Sequence, residues 1–105
     1  TNYDIDGGVS HPPMEKSKFA DPYLDIVRKC GKSLGMSLTE KFCGGASDGC
    51  FTGENSVTID GLSPYGNLYH TPEEYLELET VVPRISLITS TIAEICKNND
   101  LNNYN

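Results

Sequence analysis

The 105-residue sequence has few basic residues and no long apolar run, and each shortage argues against a class of partner. Eight Lys and Arg stand against 15 Asp and Glu, which gives a formal net charge of -7. This surplus of negative charge argues against nucleic acid or an anionic membrane surface as a partner, because both repel an acidic chain. No stretch approaches the roughly 20 apolar residues that cross a bilayer, and the first residues lack the pattern of a secretory signal. We therefore expect a cytoplasmic protein without a membrane span.

Paired cysteine motifs are also lacking. The cysteines are Cys30, Cys43, Cys50 and Cys96, and no two of them have C-x-x-C spacing. Their intervals match no zinc-ribbon or small disulfide framework, so we expect reduced, mostly buried thiols. An alternative stays open: a thiol enzyme could use Cys43 or Cys50, because the N-terminus of a nearby helix favours a thiolate.

The most informative stretch is residues 41–75, KFCGGASDGCFTGENSVTIDGLSPYGNLYHTPEEY. Gly44, Gly45 and Ala46 precede a helix start predicted at Ser47. Glycines let the backbone approach a ligand closely, and the free N–H groups of a helix N-terminus suit a carboxylate. A tight turn that needs glycine for its geometry alone explains them equally well. His70 ends the following loop and offers zinc its commonest nitrogen ligand, although a lone histidine is more often merely exposed.

Four ordered segments carry a resemblance to a known family. They are Pro12-Pro13-Met14, GGASDGCF from Gly44, IDGLSPYG from Ile59, and YHTPEEYLELETVVPR from Tyr69. Together they resemble the carboxy-terminal part of the two-zinc amidohydrolases, which include glutamate carboxypeptidase, acetylornithine deacetylase, aminoacylase and succinyl-diaminopimelate desuccinylase. The resemblance covers nearly the whole chain.

The resemblance implies roles for five residues. It makes His70 a zinc ligand, and it makes Gly44, Gly45 and Ala46 backbone contacts to the carboxylate of the substrate. His11 stands where the family usually has an arginine that clamps this carboxylate with two hydrogen bonds. An imidazole offers at most one donor in that direction. We therefore expect a different or weaker grip on the substrate; alternatively, His11 is only a turn residue.

The resemblance also implies what the chain does not do alone. In the family, two zinc ions activate a water that attacks the amide bond of an N-acyl amino acid or short peptide. The other zinc ligands and the general base come from an amino-terminal half that has no counterpart in these 105 residues. We expect the isolated chain to be an inactive fragment that holds no zinc stably. The alternative is a non-catalytic folded module that self-associates or binds a partner.

The expected domain organisation follows the resemblance. Residues 1–10 correspond to a remnant of the lid or dimerisation domain, 11–98 to the carboxy-terminal part of the catalytic domain, and 99–105 to a polar tail. Because Thr1 is not an initiator methionine, we expect a processed chain or a piece of a longer one. Helices that alternate with short strands indicate an α/β fold, part of a mainly parallel sheet flanked by helices. Open sheet edges predict a homo-oligomer or pairing with the missing amino-terminal half.

Local signals predict three main helices. Asp21 as N-cap and Pro22 open the first helix, and Gly35 closes it. The second begins at Ser47 and ends near residue 53, and the last begins at Thr80 and tolerates a proline in its first turn. The last helix is predicted to carry one apolar face: Val81, Ile85, Ile88, Ile92 and Ile95.

The remaining local signals predict strands, one more helix start and the packing face of the first helix. Alternating apolar residues predict strands over 37–43 and 56–60 and a short strand over 76–78. Thr71 to Glu74 has the sequence of a capping box, which predicts a helix that begins after Thr71. The first helix is predicted to bury a stripe at spacings of three and four: Leu24, Val27, Cys30 and Leu34.

Overall fold

The described part of the chain contains three helices and one short hairpin, joined by long irregular segments. The computed structural model describes residues 2–41, 47–52 and 55–98. Its helices are α1 (Asp21–Ser33), α2 (Gly49–Thr52) and α3 (Val81–Lys97), and a 3₁₀ turn, Leu78–Thr80, leads into α3. Its strands are β1 (Gly66–Asn67) and β2 (Tyr75–Leu76). Within these ranges, no helix is long and apolar enough to cross a membrane.

The start of α1 lies one residue from its predicted position. Ala20 occupies the N-cap position without a side-chain cap, and Asp21 is the first helical residue. Pro22 lies in the first turn, where its missing N–H removes no helical hydrogen bond. The carboxylate of Asp21 pairs instead with the Lys16 ammonium at 2.6 Å, and the same ammonium lies 3.1 Å from Glu40. Lys16 thereby joins the segments that precede and follow α1.

The end of α1 confirms the role predicted for Gly35. This glycine adopts φ +78°, a left-handed conformation that strains any residue with a Cβ. Its N–H donates to the Lys32 carbonyl at 3.1 Å, and the Met36 N–H donates to the Gly31 carbonyl at 2.8 Å. These two bonds form a Schellman motif, which satisfies carbonyls that the helix end would leave unpaired.

The other two helix starts also follow from sequence. α3 begins directly after Thr80 and accommodates Pro83 in its first turn. α2 begins two residues after Ser47, whose Oγ accepts the Gly49 N–H at 3.1 Å. A serine hydroxyl that accepts an N–H of the first turn is the usual N-terminal cap. The predicted end of this helix lies outside the described residues.

The core lies where α1 packs against α3. Val27 and Cys30 from α1 meet Leu87, which is fully buried. Leu34, the last member of the predicted α1 stripe, is exposed instead, because it already belongs to the helix cap. Partly buried side chains surround this centre: Ile26, Met36, Leu38, Ile59 and Leu62.

The apolar face predicted for α3 is wrong. The buried side chains of this helix are Arg84, Leu87 and Thr91. Three of the five predicted packing residues are exposed instead, Ile85 by 56%, Ile88 by 36% and Ile92 by 56%, while Val81 and Ile95 are half-buried. Neighbouring residues of a helix are 100° apart, so the true packing face lies about a quarter turn from the predicted one. The pattern misled because α3 is apolar over more than one face, and periodicity alone does not say which face α1 covers.

Two predicted strands are unpaired, and one predicted helix is a turn. Residues 37–41 and 56–60 form no ladder, while residues 42 and 43 of the first predicted strand lie outside the described ranges. A ladder requires a neighbouring strand, and the described ranges hold only the antiparallel pair β1–β2. Residues 71–74 form a turn that leads into β2, not a helix. The mainly parallel sheet therefore stays a prediction.

The chain is expanded for its length. Its radius of gyration is 17.2 Å, against about 13 Å for a compact domain of this size. Its accessible surface is 8540 Å², whereas a compact monomer of 11.5 kDa exposes about 5,800 Å². The excess of about 2,700 Å² means that much of the surface a domain normally buries is open here.

Candidate metal and substrate site

His70 lies in a hairpin loop that one glycine makes possible. β1 and β2 pair antiparallel, with Gly66 opposite Leu76 and Asn67 opposite Tyr75. A Cβ at Gly66 would collide with the Tyr75 carbonyl oxygen. Only glycine therefore lets the two strands approach this closely. The connecting residues, 68–74, form the loop that carries His70.

Two residues of this loop adopt left-handed backbone conformations. Leu68 has φ 58° and His70 has φ 65°. Side-chain hydrogen bonds hold the loop: Asn67 Oδ1 accepts the Leu68 N–H at 2.8 Å, and the Thr71 hydroxyl donates to the Leu68 carbonyl at 2.6 Å. A left-handed residue other than glycine costs on the order of 1–3 kcal/mol and persists only where its surroundings impose it. The loop thus fixes the backbone of His70 at a conformational cost.

The His70 imidazole is exposed. Across the described ranges it has no hydrogen-bond, ion-pair or ring partner. Thr71, predicted to cap a helix, instead bonds backward to Leu68, and its carbonyl accepts the Glu74 N–H at 3.1 Å. The loop therefore ends in a second turn, and it leaves His70 exposed.

A shallow pocket lies beside the hairpin. Its volume is about 360 Å³, and its lining includes Pro64, Tyr69, Glu74 and Tyr75. The Tyr69 hydroxyl donates to the Gly66 carbonyl at 3.0 Å, which fixes one wall. His70 does not line this pocket. The structure thus places the pocket and the imidazole on the same hairpin without bringing them into one site.

The structure describes the residues on either side of the predicted carboxylate contacts, but not the contacts themselves. Gly44, Gly45 and Ala46 lie outside the described residues. The helix that follows them is present, because the Cys50 N–H donates to the Ser47 carbonyl at 3.1 Å as α2 begins. Cys50 itself is buried. A buried cysteine is ordinarily inert, which disfavours a thiol enzyme that uses this residue.

His11 lies against α2. Its ring centroid is 5.1 Å from that of Phe51, with an angle of 49° between the rings, and its Nδ1 lies 3.1 Å from the Ser10 hydroxyl. A Cβ placed on Gly49 would lie 3.3 Å from the Met14 sulfur. The structure therefore brings the His11–Met14 segment next to the helix that follows the glycine turn, two regions far apart in sequence.

The described residues do not form a zinc site by themselves. Nowhere within 2–41, 47–52 and 55–98 do three His, Cys, Asp or Glu side chains come together to hold a metal. A catalytic zinc requires three protein ligands and an open position. His70 could supply one of them. No contact in these ranges joins His70 to His11 or to α2.

Sequence reasoning missed Arg84, which lies behind the hairpin. Only 9% of this residue is exposed, and its guanidinium carbon lies 5.0 Å from the centroid of the Tyr65 ring. It forms no salt bridge within the described ranges. Tyr65 is also tied to the start of α3, because its N–H donates to the Thr80 hydroxyl at 2.9 Å. The clue in the sequence is that Arg84 is a charged residue whose neighbours in α3 are all apolar or uncharged.

Comparisons with family models, with curated proteins and with solved structures found no match to this chain. The family assignment therefore depends on the four sequence segments alone.

Proposed function

We propose that this chain is the carboxy-terminal part of the catalytic domain of a two-zinc metallo-amidohydrolase. The complete enzyme would cleave an amide bond in a short peptide or N-acyl amino acid and would hold two zinc ions. The four sequence segments carry the proposal, and the structural observation that supports it is His70: an exposed imidazole without a partner in the described ranges, in a left-handed backbone conformation. Strained residues cluster at functional sites.

The residues near α2 support a second part of the proposal, the carboxylate end of the substrate pocket. His11 and Met14 contact α2 from a distant part of the sequence. The glycine turn at residues 44–46 directly precedes this helix. In the complete enzyme, the backbone N–H groups of Gly44, Gly45 and Ala46 would bind the substrate carboxylate, and His11 would donate one hydrogen bond to it.

The chain alone supplies too few ligands for the chemistry of the complete enzyme. His70 is the one zinc ligand that the resemblance assigns to this chain, and no three-ligand cluster lies in the described ranges, so the residues do not fit a stable zinc centre. We therefore expect no hydrolysis of N-acyl amino acids or dipeptides by the pure 105-residue chain, and no stoichiometric zinc. Turnover by the pure chain that depends on added zinc would contradict the fragment hypothesis.

The deciding experiment uses the reading frame upstream of Thr1. If this reading frame encodes a further segment with the acidic residues and histidines that the remaining zinc ligands require, the longer protein should contain two zinc ions per chain. His70→Ala should remove much of one zinc and most of the rate. His11→Ala is the matched control, since it should raise KM and leave the zinc content unchanged. Unchanged zinc and rate in His70→Ala would show that His70 is an ordinary loop residue, whose loss changes stability by no more than about 0.5 kcal/mol.

The second candidate is a non-catalytic module that associates with itself or a partner. The open surface, about 2,700 Å² beyond that of a compact monomer, favours it. We also infer a cytoplasmic location from the sequence, because the cysteine spacing matches no extracellular disulfide framework. The zinc content of the longer product separates the two candidates, because only the enzyme requires a metal.

A further inference from the structure

The isoleucine stripe of α3 consists of Ile85, Ile88 and Ile92, which α1 does not cover. Ile85 and Ile92 are seven residues apart, which is about 10.5 Å along the helix. Spacings of three and four residues keep all three side chains on one side of α3. Such a stripe is the pattern that helices use to pack against other helices.

The isoleucine stripe is apolar and uncharged. The charged residues of α3 are Arg84, Glu94 and Lys97. Arg84 is buried, while Glu94 and Lys97 lie about 160° and 140° around the helix from Ile92. On a chain of net charge -7, this stripe is therefore a place where a second copy can approach without direct charge repulsion.

The isoleucine stripe offers apolar surface that the fold leaves uncovered. Ile85 and Ile92 are each 56% exposed, and Ile88 is 36% exposed. Burial of apolar surface is the main favourable contribution to most protein associations. We propose that α3 pairs with α3 of a second copy of this chain, antiparallel and across a two-fold axis near Ile88.

An isologous contact explains the spacing of the isoleucines. In such a contact the same patch serves both copies, so residue i of one copy meets residue j of the other, and j meets i. An antiparallel register sets Ile85 opposite Ile92 of the second copy and Ile92 opposite its Ile85, with both Ile88 side chains near the axis. The antiparallel direction also opposes the two helix dipoles. The contact is thus self-complementary.

The test measures the mass of the 105-residue chain by sedimentation over a range of micromolar concentrations. We expect a dimer, twice the 11.5 kDa of the chain. Ile92→Asp should raise the dimer dissociation constant by at least about 100-fold, because the buried carboxylate enters an isologous contact twice. Ile85→Asp, at the opposing position, should do the same. Both residues are exposed in the free chain, so circular dichroism should show unchanged helix content.

The matched control is Ala93→Asp, which adds the same charge at an exposed position about 100° around the helix from Ile92. It should leave the dissociation constant within about threefold of the parent value, since surface changes outside a contact are nearly neutral. Three results would overturn the proposal. They are a monomer at every concentration, a dimer that tolerates Ile92→Asp, and a dimer that all three variants disrupt equally.

Two further readouts test the nature and direction of the contact. Added salt should tighten the dimer, because it screens the repulsion between two chains of net charge -7; a dimer that salt dissociates would contradict an apolar contact. In the antiparallel register the two exposed Cys96 residues lie about 22 Å apart along the helices, too far for a disulfide. An oxidised dimer that Cys96→Ser abolishes would exclude this register.

Discussion

Leu87→Ala tests whether α3 packs through the face that the structure assigns. Leu87 is the only large side chain in the described ranges that is fully buried, and it joins Val27 and Cys30 of α1. Such truncations cost 2–5 kcal/mol in ordinary cores. Because this core is small and open surface lies nearby, the site can partly collapse. We therefore expect a loss of about 2–3 kcal/mol in the free energy of unfolding.

The assay is thermal unfolding followed by far-ultraviolet circular dichroism. A loss of this size should lower Tm by about 10–20 °C in a domain of about 100 residues. Ile85→Ala is the control, measured at a concentration where sedimentation shows only monomer, and it should change stability by less than about 0.5 kcal/mol. If Ile85→Ala costs as much as Leu87→Ala, α3 packs through the isoleucines and the assignment of its buried face is wrong.

Three further changes test the hairpin, the buried cation and the exposed ion pair. Gly66→Ala should cost about 1–3 kcal/mol and open the hairpin, seen as new proteolytic cleavage within 65–77, while Gly8→Ala, whose Cβ meets nothing within 4 Å, should be silent. Arg84→Met should hold or raise Tm. The described residues give this buried cation no counter-ion, and its burial costs more than its stacking on Tyr65 returns; a loss of more than about 1 kcal/mol would contradict this. The hydrogen bond to Asp21 raises the pKa of Lys16 above 10.5, and the same bond lowers the pKa of Asp21 below 3.8. The pair should therefore stabilise the fold between pH 3.8 and 10.5. Its contribution should be lost as the pH falls below 3.8 or rises above 10.5, and Lys16→Ala should remove this dependence from the pH profile of stability.

Helix ends could be predicted from the sequence because they depend on neighbouring residues. Gly35 ends α1 through its own left-handed conformation, Ser47 caps α2 with its own hydroxyl, and α3 starts directly after Thr80. None of these features depends on a distant part of the chain. Capping and turn chemistry is local, so pattern reasoning succeeds there.

The predictions that failed depend on distant contacts. Thr71 begins a turn and not a helix because the β1–β2 ladder, closed between Gly66 and Leu76, directs the following residues into a strand. The packing face of α3 depends on where α1 lies, which the pattern of apolar residues in α3 does not encode. The same applies to the site: His70 could be singled out from its sequence context, but its left-handed backbone and its separation from the pocket follow from the hairpin.

The two proposals assign different partners to the isoleucine stripe of α3: the rest of a catalytic domain, or a second copy of this chain. In an α/β catalytic domain, helices cover a sheet, and residues 37–41 and 56–60 have the alternating pattern of strands without a ladder in the described ranges. If further polypeptide supplies that sheet, it would also cover the isoleucine stripe, and a second copy could not bind there. Both proposals can therefore hold for different molecules: the 105-residue chain would dimerise, and a longer product would bind zinc. A longer product that binds two zinc ions and still dimerises through Ile92 would mean that the sheet covers a different face of α3.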